Sequence, residues 1–416
     1  MDIAREIQAQ LPKELRELIR AAGEVAADLG ESLYLVGGAV RDLLLRRDNL
    51  DVDLVLEGDA PSLARRLARQ NMAKVVTHPR FGTATFSSGA VTLDLATARS
   101  ETYAQPGALP RVKPGKIEDD LFRRDFTVNA MAANLHPACF GELVDPYGGK
   151  NDLDLGIVRV LHPLSFQDDP TRIWRAIRYE QRLEFKLDAE TERLARRDLE
   201  FMDRVSGDRL RHELERILRE DEPERALRRA GELGALARLS KDLEGDAWLV
   251  TKFQAARRLP ADSGEKDAVY LPLLAWRLAE VQLVAFLERL RFGGEAAAAL
   301  RDIPSMRTNL AALEAEKLLP SDICRLLQRH RLATVMAAVV AADSGIVRDR
   351  LTLYLSSLRF VTPSLNGDDL KRMGVPPGRK MGSLLRALRD AKLDGGVTSR
   401  EMEERFVRHW IAESKR

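Results

Sequence analysis

Leu33-Tyr34-Leu35-Val36-Gly37-Gly38-Ala39-Val40-Arg41-Asp42, followed a short way on by Asn49-Leu50-Asp51-Val52-Asp53-Leu54-Val55-Leu56, decides how the chain folds. The first stretch predicts a strand, a glycine pair and the start of a helix. Glycines let the backbone approach a phosphate closely, a helix N-terminus offers free N–H groups, and Arg41 adds a forked donor. Alone, such a pair is usually a tight turn. The second stretch places two aspartates on one face of an apolar strand, because side chains alternate along a strand. Carboxylates about 6 to 7 Å apart on one strand face repel each other unless a cation lies between them. Magnesium, which takes oxygen ligands from one or two carboxylates and fills its remaining positions with water and phosphates, suits Asp51 and Asp53. Two solvated acids on an edge strand are the alternative.

Around this stretch the periodicity is mixed, then helical. Residues 1–30 have apolar positions at helix spacing, Ile3, Ile7, Leu11, Leu15, Leu18 and Ile19, up to Gly30. From Leu33 to about Gly149, β-rich runs (Leu33 to Val36, Val52 to Leu56, Thr83 to Phe86, Val91 to Leu95) alternate with helical ones, which predicts an α/β domain with a mixed sheet. After about residue 160 strands are not expected. Helical spacing such as Leu210, Leu214, Ile217, Leu218 takes over, broken at Pro223, Gly234, Pro260, Gly293 and Gly294. The segment Gln105 to Lys116, with Pro106, Pro110, Pro114, Gly107 and Gly115, is expected to be a mobile loop of the α/β part.

Composition narrows the class. The 416 residues include 66 basic and 64 acidic side chains, for a formal charge of +2, and 45% are hydrophobic, so packed cores rather than a disordered chain are expected. The longest apolar stretches, such as Val335 to Ala342, fall short of a membrane span, and Met1-Asp2-Ile3-Ala4-Arg5-Glu6 is unlike a secretory signal, which points to the cytoplasm. Two distant cysteines, Cys139 and Cys324, support neither a disulfide framework nor a thiolate zinc site, and the six scattered histidines do not suggest a metal site. Near-zero net charge leaves nucleic acid open, since affinity follows the placement of positive charge rather than its sum.

A glycine pair followed by Asp-x-Asp on a strand resembles the nucleotidyltransferase superfamily with a polymerase β-like palm, and Asp94, in Thr92-Leu93-Asp94-Leu95, matches the third carboxylate expected there. Asp119-Asp120-Leu121-Phe122-Arg123-Arg124-Asp125-Phe126-Thr127-Val128-Asn129 is similar to the Arg-Arg-Asp-Phe-Thr-x-Asn motif of class II tRNA nucleotidyltransferases, the bacterial family of CCA-adding enzymes and poly(A) polymerases. Asp145-Pro146-Tyr147-Gly148-Gly149 resembles that family's hinge between head and neck. Asp168-Asp169-Pro170-Thr171-Arg172, with Arg175 and Arg178 trailing, resembles its Glu-Asp-x-x-Arg nucleotide-selecting helix, with Asp168 where the pattern has Glu. Ser206 to Leu214 is similar to the helix that enters the body. Leu365 to Leu370 and Gly374 to Gly382 resemble the bacterial tail, where Lys371, Arg372, Arg379 and Lys380 either grip RNA phosphates or flank helix-joining turns.

The resemblance implies an α+β chain: a lead-in (1–30), a nucleotidyltransferase head with a mixed sheet (31–150), and an all-helical neck (151–220), body (221–345) and tail (346–416). It implies Asp51, Asp53 and Asp94 as catalytic, two magnesium ions on Asp51 and Asp53, and a nucleotide held by Gly37, Gly38, Arg41, Arg124, Asp125, Asn129, Asp169, Arg172, Arg175 and Arg178. Asp169 and Arg172, three apart at a helix start, are spaced to lie together and read the Watson–Crick edges of cytosine and adenine, which both present an amino donor beside a ring acceptor. CTP and ATP would be the donors and tRNA the acceptor, gripped along its acceptor and T arms by shape and phosphates.

Complete CCA addition is the primary expectation. The long segment Arg99 to Lys116 disfavours CC-only addition, the variant motif wording keeps an A-adding specialist in contention, and poly(A) polymerase is a further relative. A non-catalytic tRNA-binding protein is opposed by the Asp51 and Asp53 pair. A small-molecule nucleotidyltransferase is opposed by the long helical half.

Overall fold

Two helices lead the chain, α1 (Ala4–Gln10) and α2 (Lys13–Asp28), parted at Pro12, whose missing N–H is harmless at a helix start. Their apolar positions, Ile3, Ile7, Leu11, Leu15, Leu18 and Ile19, are all buried, so the helical period in the sequence is the packing face. The computed structural model describes residues 1–47, 52–71, 74–78, 81–88, 91–260 and 263–413. Two units are distinguished, residues 1–217 with 232–238 and residues 218–231 with 239–416.

The first unit contains a seven-stranded sheet in the order β3-β4-β5-β2-β1-β8-β9. Its strands are β1 (Ser32–Val36), β2 (Asp53–Glu57), β3 (Lys74–His78), β4 (Thr83–Ser88), β5 (Val91–Thr97), β8 (Ala132–Asn134) and β9 (Leu143–Val144). All neighbours are antiparallel except β2 and β5. Helix α3 (Gly38–Leu44) links β1 to β2, and α4 (Ala60–Asn71) links β2 to β3. Tyr34, Val36 and Val55 on the sheet pack with Ala98, Ile117, Leu121, Ala130 and Ala132 in one core cluster. The register sets Val36 opposite Asp53, and Asp53 beside Asp94, so the end of β1 and both acids share one end of the sheet.

The expected loop from Gln105 to Lys116 is in part a strand. β6 (Arg99–Thr102) and β7 (Arg111–Pro114) form an antiparallel ribbon, with Arg99 opposite Pro114. The prolines misled because Pro110 precedes β7 and Pro114 ends it, where a missing N–H breaks no ladder interior.

Beyond the ribbon come α5 (Ile117–Phe122), α6 (Gly149–Leu155), α7 (Ser165–Asp168), α8 (Arg172–Leu183), α9 (Ala189–Arg197) and α10 (Gly207–Leu218). Strands do not vanish after residue 160. β10 (Ile157–Val158) pairs in parallel with β11 (Lys186–Leu187), a two-residue pairing too short to leave a period in the sequence. Arg159 bridges Asp152 at 2.9 Å and Asp188 at 3.0 Å, and Asp152 also accepts from the Thr127 hydroxyl at 2.7 Å, so one buried carboxylate ties α6 to the head.

The regular structure among the second unit's described residues is all helical, including Pro223–Leu233, most of which lies in it, and running from Ala247–Arg257 to Arg400–Glu413. Its C-terminal helices enclose Leu365, Leu370, Leu384, Leu388 and Val407. Buried Glu403 accepts the Ser364 and Leu365 N–H groups at 2.8 Å and Lys392 Nζ at 2.9 Å, which satisfies a carboxylate that burial would otherwise penalise. No helix among the described residues is long and apolar enough to cross a membrane.

Gly23 shows tertiary packing overriding helix propensity. A Cβ there would collide with the Leu135 carbonyl where α2 crosses the chain after β8. Propensity alone favours Gly23→Ala by about 1 kcal/mol, whereas overpacking costs about 1 to 3 kcal/mol. A lower midpoint in chemical denaturation is the expected outcome for Gly23→Ala, and a gain in stability would show that the crossing can widen.

Candidate active site

The glycine pair is a forced choice. Gly37 has φ +70°, a conformation that demands glycine, and a Cβ on it would also meet Arg124 Nη1. Its N–H is bound to the Met131 carbonyl at 3.1 Å, and α3 begins at Gly38.

A cavity of about 1020 Å³ opens beside this turn. Gly38, Arg41, Asp53, Asp94, Arg124, Asp125, Asn129, Asp169, Arg172, Arg175 and Arg178 line it, all proposed from the sequence. Gly37 underlies Arg124, and Asp51 lies outside the described residues.

Asp53 and Asp94 form one wall. Both are exposed, they are register partners on parallel neighbours, and Asp94 Oδ1 accepts from the Thr85 hydroxyl at 2.6 Å. Two carboxylates side by side on adjacent strands give hard oxygen donors that suit a divalent cation.

The arginines that line the same cavity are tightly braced. Arg41, only 3% exposed, donates Nε and Nη2 to the Asp42 carboxylate at 2.8 Å and Nη1 to Asn129 Oδ1 at 2.6 Å. Its guanidinium is therefore committed to the protein, unlike the open phosphate donor expected from sequence. Asn129 passes the chain on through Nδ2 to Asp125 Oδ1 at 2.9 Å, and Asp125 Oδ2 accepts Arg175 Nε at 2.8 Å and Nη2 at 2.6 Å. Burial pushes the Asp125 carboxyl up, but the Arg175 charge and the Asn129 hydrogen bond outweigh it and hold the group down at about 2. Tyr179, absent from the sequence reading, sits amid this charge: Arg41, Arg175 and Arg178 lie 5.2, 5.7 and 4.8 Å from its ring centroid.

The side chains of Asp169 and Arg172 do not bond to each other, although the Arg172 N–H donates to the Asp169 carbonyl at 3.0 Å. Asp169 has φ −136° and ψ 96°, so the three-residue spacing of a helix does not apply to the pair. Asp169 Oδ1 instead accepts the Thr171 N–H at 3.0 Å, its hydroxyl at 2.6 Å and Arg209 Nη2 at 2.7 Å. Arg172 donates to the Ser165 hydroxyl at 2.7 Å and to the Arg123 carbonyl at 2.6 Å. Arg209, on α10, also lines the cavity. Its local pattern marks it only as part of a helix start, and nothing local signals a partner 40 residues away. Beside them, burial raises the Asp168 carboxyl above the ordinary carboxylate range.

A strand, glycine turn and helix, paired acids on adjacent strands and an arginine-rich cavity fit a nucleotidyltransferase head, and residues 33–159 match the poly(A) polymerase head domain family. Residues 184–246 match the family described as a probable RNA and SrmB-binding site of polymerase A. The chain is 34% identical to the A-adding tRNA nucleotidyltransferase of Geobacter sulfurreducens over 98% of its own length, and spans 48% of that relative. It is 31% identical to the A-adding enzyme of Halalkalibacterium halodurans, across 95% of this chain and 92% of the relative. Among solved structures, the Thermotoga maritima CCA-adding enzyme in complex with tRNA-CCA matches with a TM-score of 0.78 and 31% identity over 99% of both chains. The chain belongs to the tRNA nucleotidyltransferase family, whose members generally use divalent metal ions.

The Asp125 carboxyl gives the site a pH signature. Its folded value of about 2 lies below the ordinary value near 4, so it stabilises the fold fully above about pH 4, by roughly 2 kcal/mol, and the contribution is lost as pH falls through 2. Asp125→Asn should unfold more easily than wild type at pH 7, and the gap should close between about pH 4 and 2 in denaturant titrations. A gap independent of pH would rule out the ion pair as its cause.

Proposed function

We propose that the chain extends the 3′ end of tRNA, transferring CMP and AMP from CTP and ATP to the terminal hydroxyl to complete a CCA end, with pyrophosphate released. The observation that carries this reading is one cavity uniting Asp53 and Asp94, the Gly37-Gly38 turn and the α8 arginines. In the reaction the 3′-oxygen bonds to the α-phosphorus, the bond from the α-phosphorus to the bridging oxygen breaks, and the electron pair leaves on pyrophosphate. Asp51 and Asp53 would hold two magnesium ions, with Asp94 as the third carboxylate of the wall. Such ions, when bound, supply charge stabilisation for attacking and leaving oxygens.

The chain's own residues position and select. Gly37 and Gly38 admit the triphosphate to the backbone, and Arg124, poised over the turn, meets its charge in preference to the committed Arg41. Asp125 and Asn129 brace Arg175 and Arg41, and Arg178 lines the same cavity. Asp169 accepts the exocyclic amino group of cytosine or adenine, and the carbonyl that guanine or uracil presents there is repelled. Arg172, fixed by Ser165 and the Arg123 carbonyl, borders the same base subsite. The division into lead-in (1–30), head (31–150), neck (151–220), body (221–345) and tail (346–416) assigns the acceptor and T arms to the helical half, and the cytoplasm is the compartment proposed.

A second reading is terminal AMP addition alone. It is favoured by similarity along nearly the whole chain to two relatives named A-adding. The test uses three synthetic tRNAs, ending before CCA, after C and after CC, with CTP, ATP or both plus magnesium. Growth of all three to CCA is the expected outcome. Extension of only the CC-ended tRNA, by ATP, would establish the second reading, and no extension of any would refute both. Asp53→Ala should lower extension at least about a thousandfold while tRNA still shifts in a gel, since charge stabilisation is lost without loss of RNA contacts.

A further inference from the structure

We propose that Asp120 is a positioning residue that presets Arg124 as the phosphate clamp over the Gly37 turn. This inference rests on the phosphate-cradle reading above.

Asp120 lies in α5 and is 0% exposed, and it is not among the residues lining the cavity, whereas Arg123 and Arg124 are. Both oxygens of its carboxylate are used. Oδ1 accepts Arg123 Nε at 2.9 Å and Nη2 at 2.7 Å, and Oδ2 accepts Arg124 Nη2 at 3.0 Å. Two adjacent guanidiniums repel each other, and a single buried carboxylate between them fixes both side chains and leaves the pair one net positive charge. Arg124 is thus held at one edge by Asp120 and turns Nη1 toward Gly37, where a Cβ would collide with it. Arg124 Nε is buried with no hydrogen-bond partner among the described residues, so the Asp120 contact is what sets the plane of this guanidinium.

The segment also bears on base selection. The Arg123 carbonyl accepts Arg172 Nη2 at 2.6 Å, and Arg123 Nη1 reaches Glu101 at 3.4 Å. Asp120 acts on substrate only through these arginines. Its loss should therefore resemble the loss of Arg124 and add little to it.

The experiment measures KM and kcat for ATP on a CC-ended tRNA, and inhibition by inorganic pyrophosphate, for full-length Asp120→Asn, Arg124→Ala and the double variant. Pyrophosphate probes the phosphate subsite without the base. Each single variant should raise the ATP KM and the pyrophosphate inhibition constant about ten- to a hundredfold, the size of a lost charge-assisted contact, and the double should match Arg124→Ala. If Arg124→Ala leaves both constants unchanged, the phosphate-cradle reading itself fails, whatever Asp120 does. If Arg124→Ala weakens pyrophosphate and Asp120→Asn does not, or if the double shows the product of the single effects, positioning by Asp120 is overturned. Should Asp120→Asn fail to fold, Asp120→Glu keeps the charge but displaces it by a methylene. Weakened pyrophosphate inhibition in a folded Asp120→Glu supports the proposal, and wild-type inhibition overturns it.

Discussion

The Asp125 carboxylate is the node on which the site depends. It closes a chain of hydrogen bonds that runs from Asp42 through Arg41 and Asn129 to Arg175, and so joins the helix after the glycine turn to α8, far away in sequence. Burying these charges costs several kcal/mol per ion, and their attraction offsets this only when every donor and acceptor finds a partner. The network therefore contributes more to a single arrangement than to net stability. Removing one member would leave the others charged and unpaired, at about 3 to 5 kcal/mol.

The same network solves a packing problem for charge. Arg41, Arg175 and Arg178 crowd around one tyrosine, and three like charges at that spacing repel. The Tyr179 ring face and the Asp42 and Asp125 carboxylates together keep them in place. The outcome is a cavity lined both by Asp53 and Asp94 of adjacent strands and by many guanidiniums. A polyanion neutralised in part by cations is the chemistry such a cavity favours, since either set of charges alone would repel one component.

What was legible in the sequence follows from the range of the interactions. Local patterns carried well: the apolar period of α1 and α2 and the strand ahead of Gly37-Gly38 both depend on neighbours a few residues away, whereas β2 begins at Asp53 and buries Leu54, Val55 and Leu56 in a row rather than alternating. Asp94 was legible as an acid in an apolar strand, and the parallel register with Asp53 gave that position its meaning. The partner of Asp169 was not legible, because Arg209 sits on a charged helix start like many others in a chain rich in arginine. Tyr179 was hidden for a related reason: an aromatic among arginines on an amphipathic helix is ordinarily read as packing. The ribbon after β5 was missed because proline and glycine counts carry no information on which side of a strand pairing a proline falls.

On the proposed function, the arrangement at Asp169 would let a fixed protein surface accept two bases. All the side-chain hydrogen bonds of Asp169 with described residues fall on Oδ1, from Thr171 and Arg209, and these set the carboxylate plane. Oδ2 is left as the acceptor. Cytosine and adenine differ in ring size but share an amino donor, and an acceptor of fixed direction rewards that shared feature while ring size is left to the cavity. Arg172 is fixed independently by Ser165 and the Arg123 carbonyl, so donor and acceptor do not neutralise each other when the pocket is empty of a base. An Asp–Arg pair bonded face to face would have to break before reading anything, and that energy would be subtracted from recognition. Holding the two side chains on separate supports leaves Asp169 Oδ2 open to a nucleotide in that reading, while Arg172 is held beside it by Ser165 and the Arg123 carbonyl.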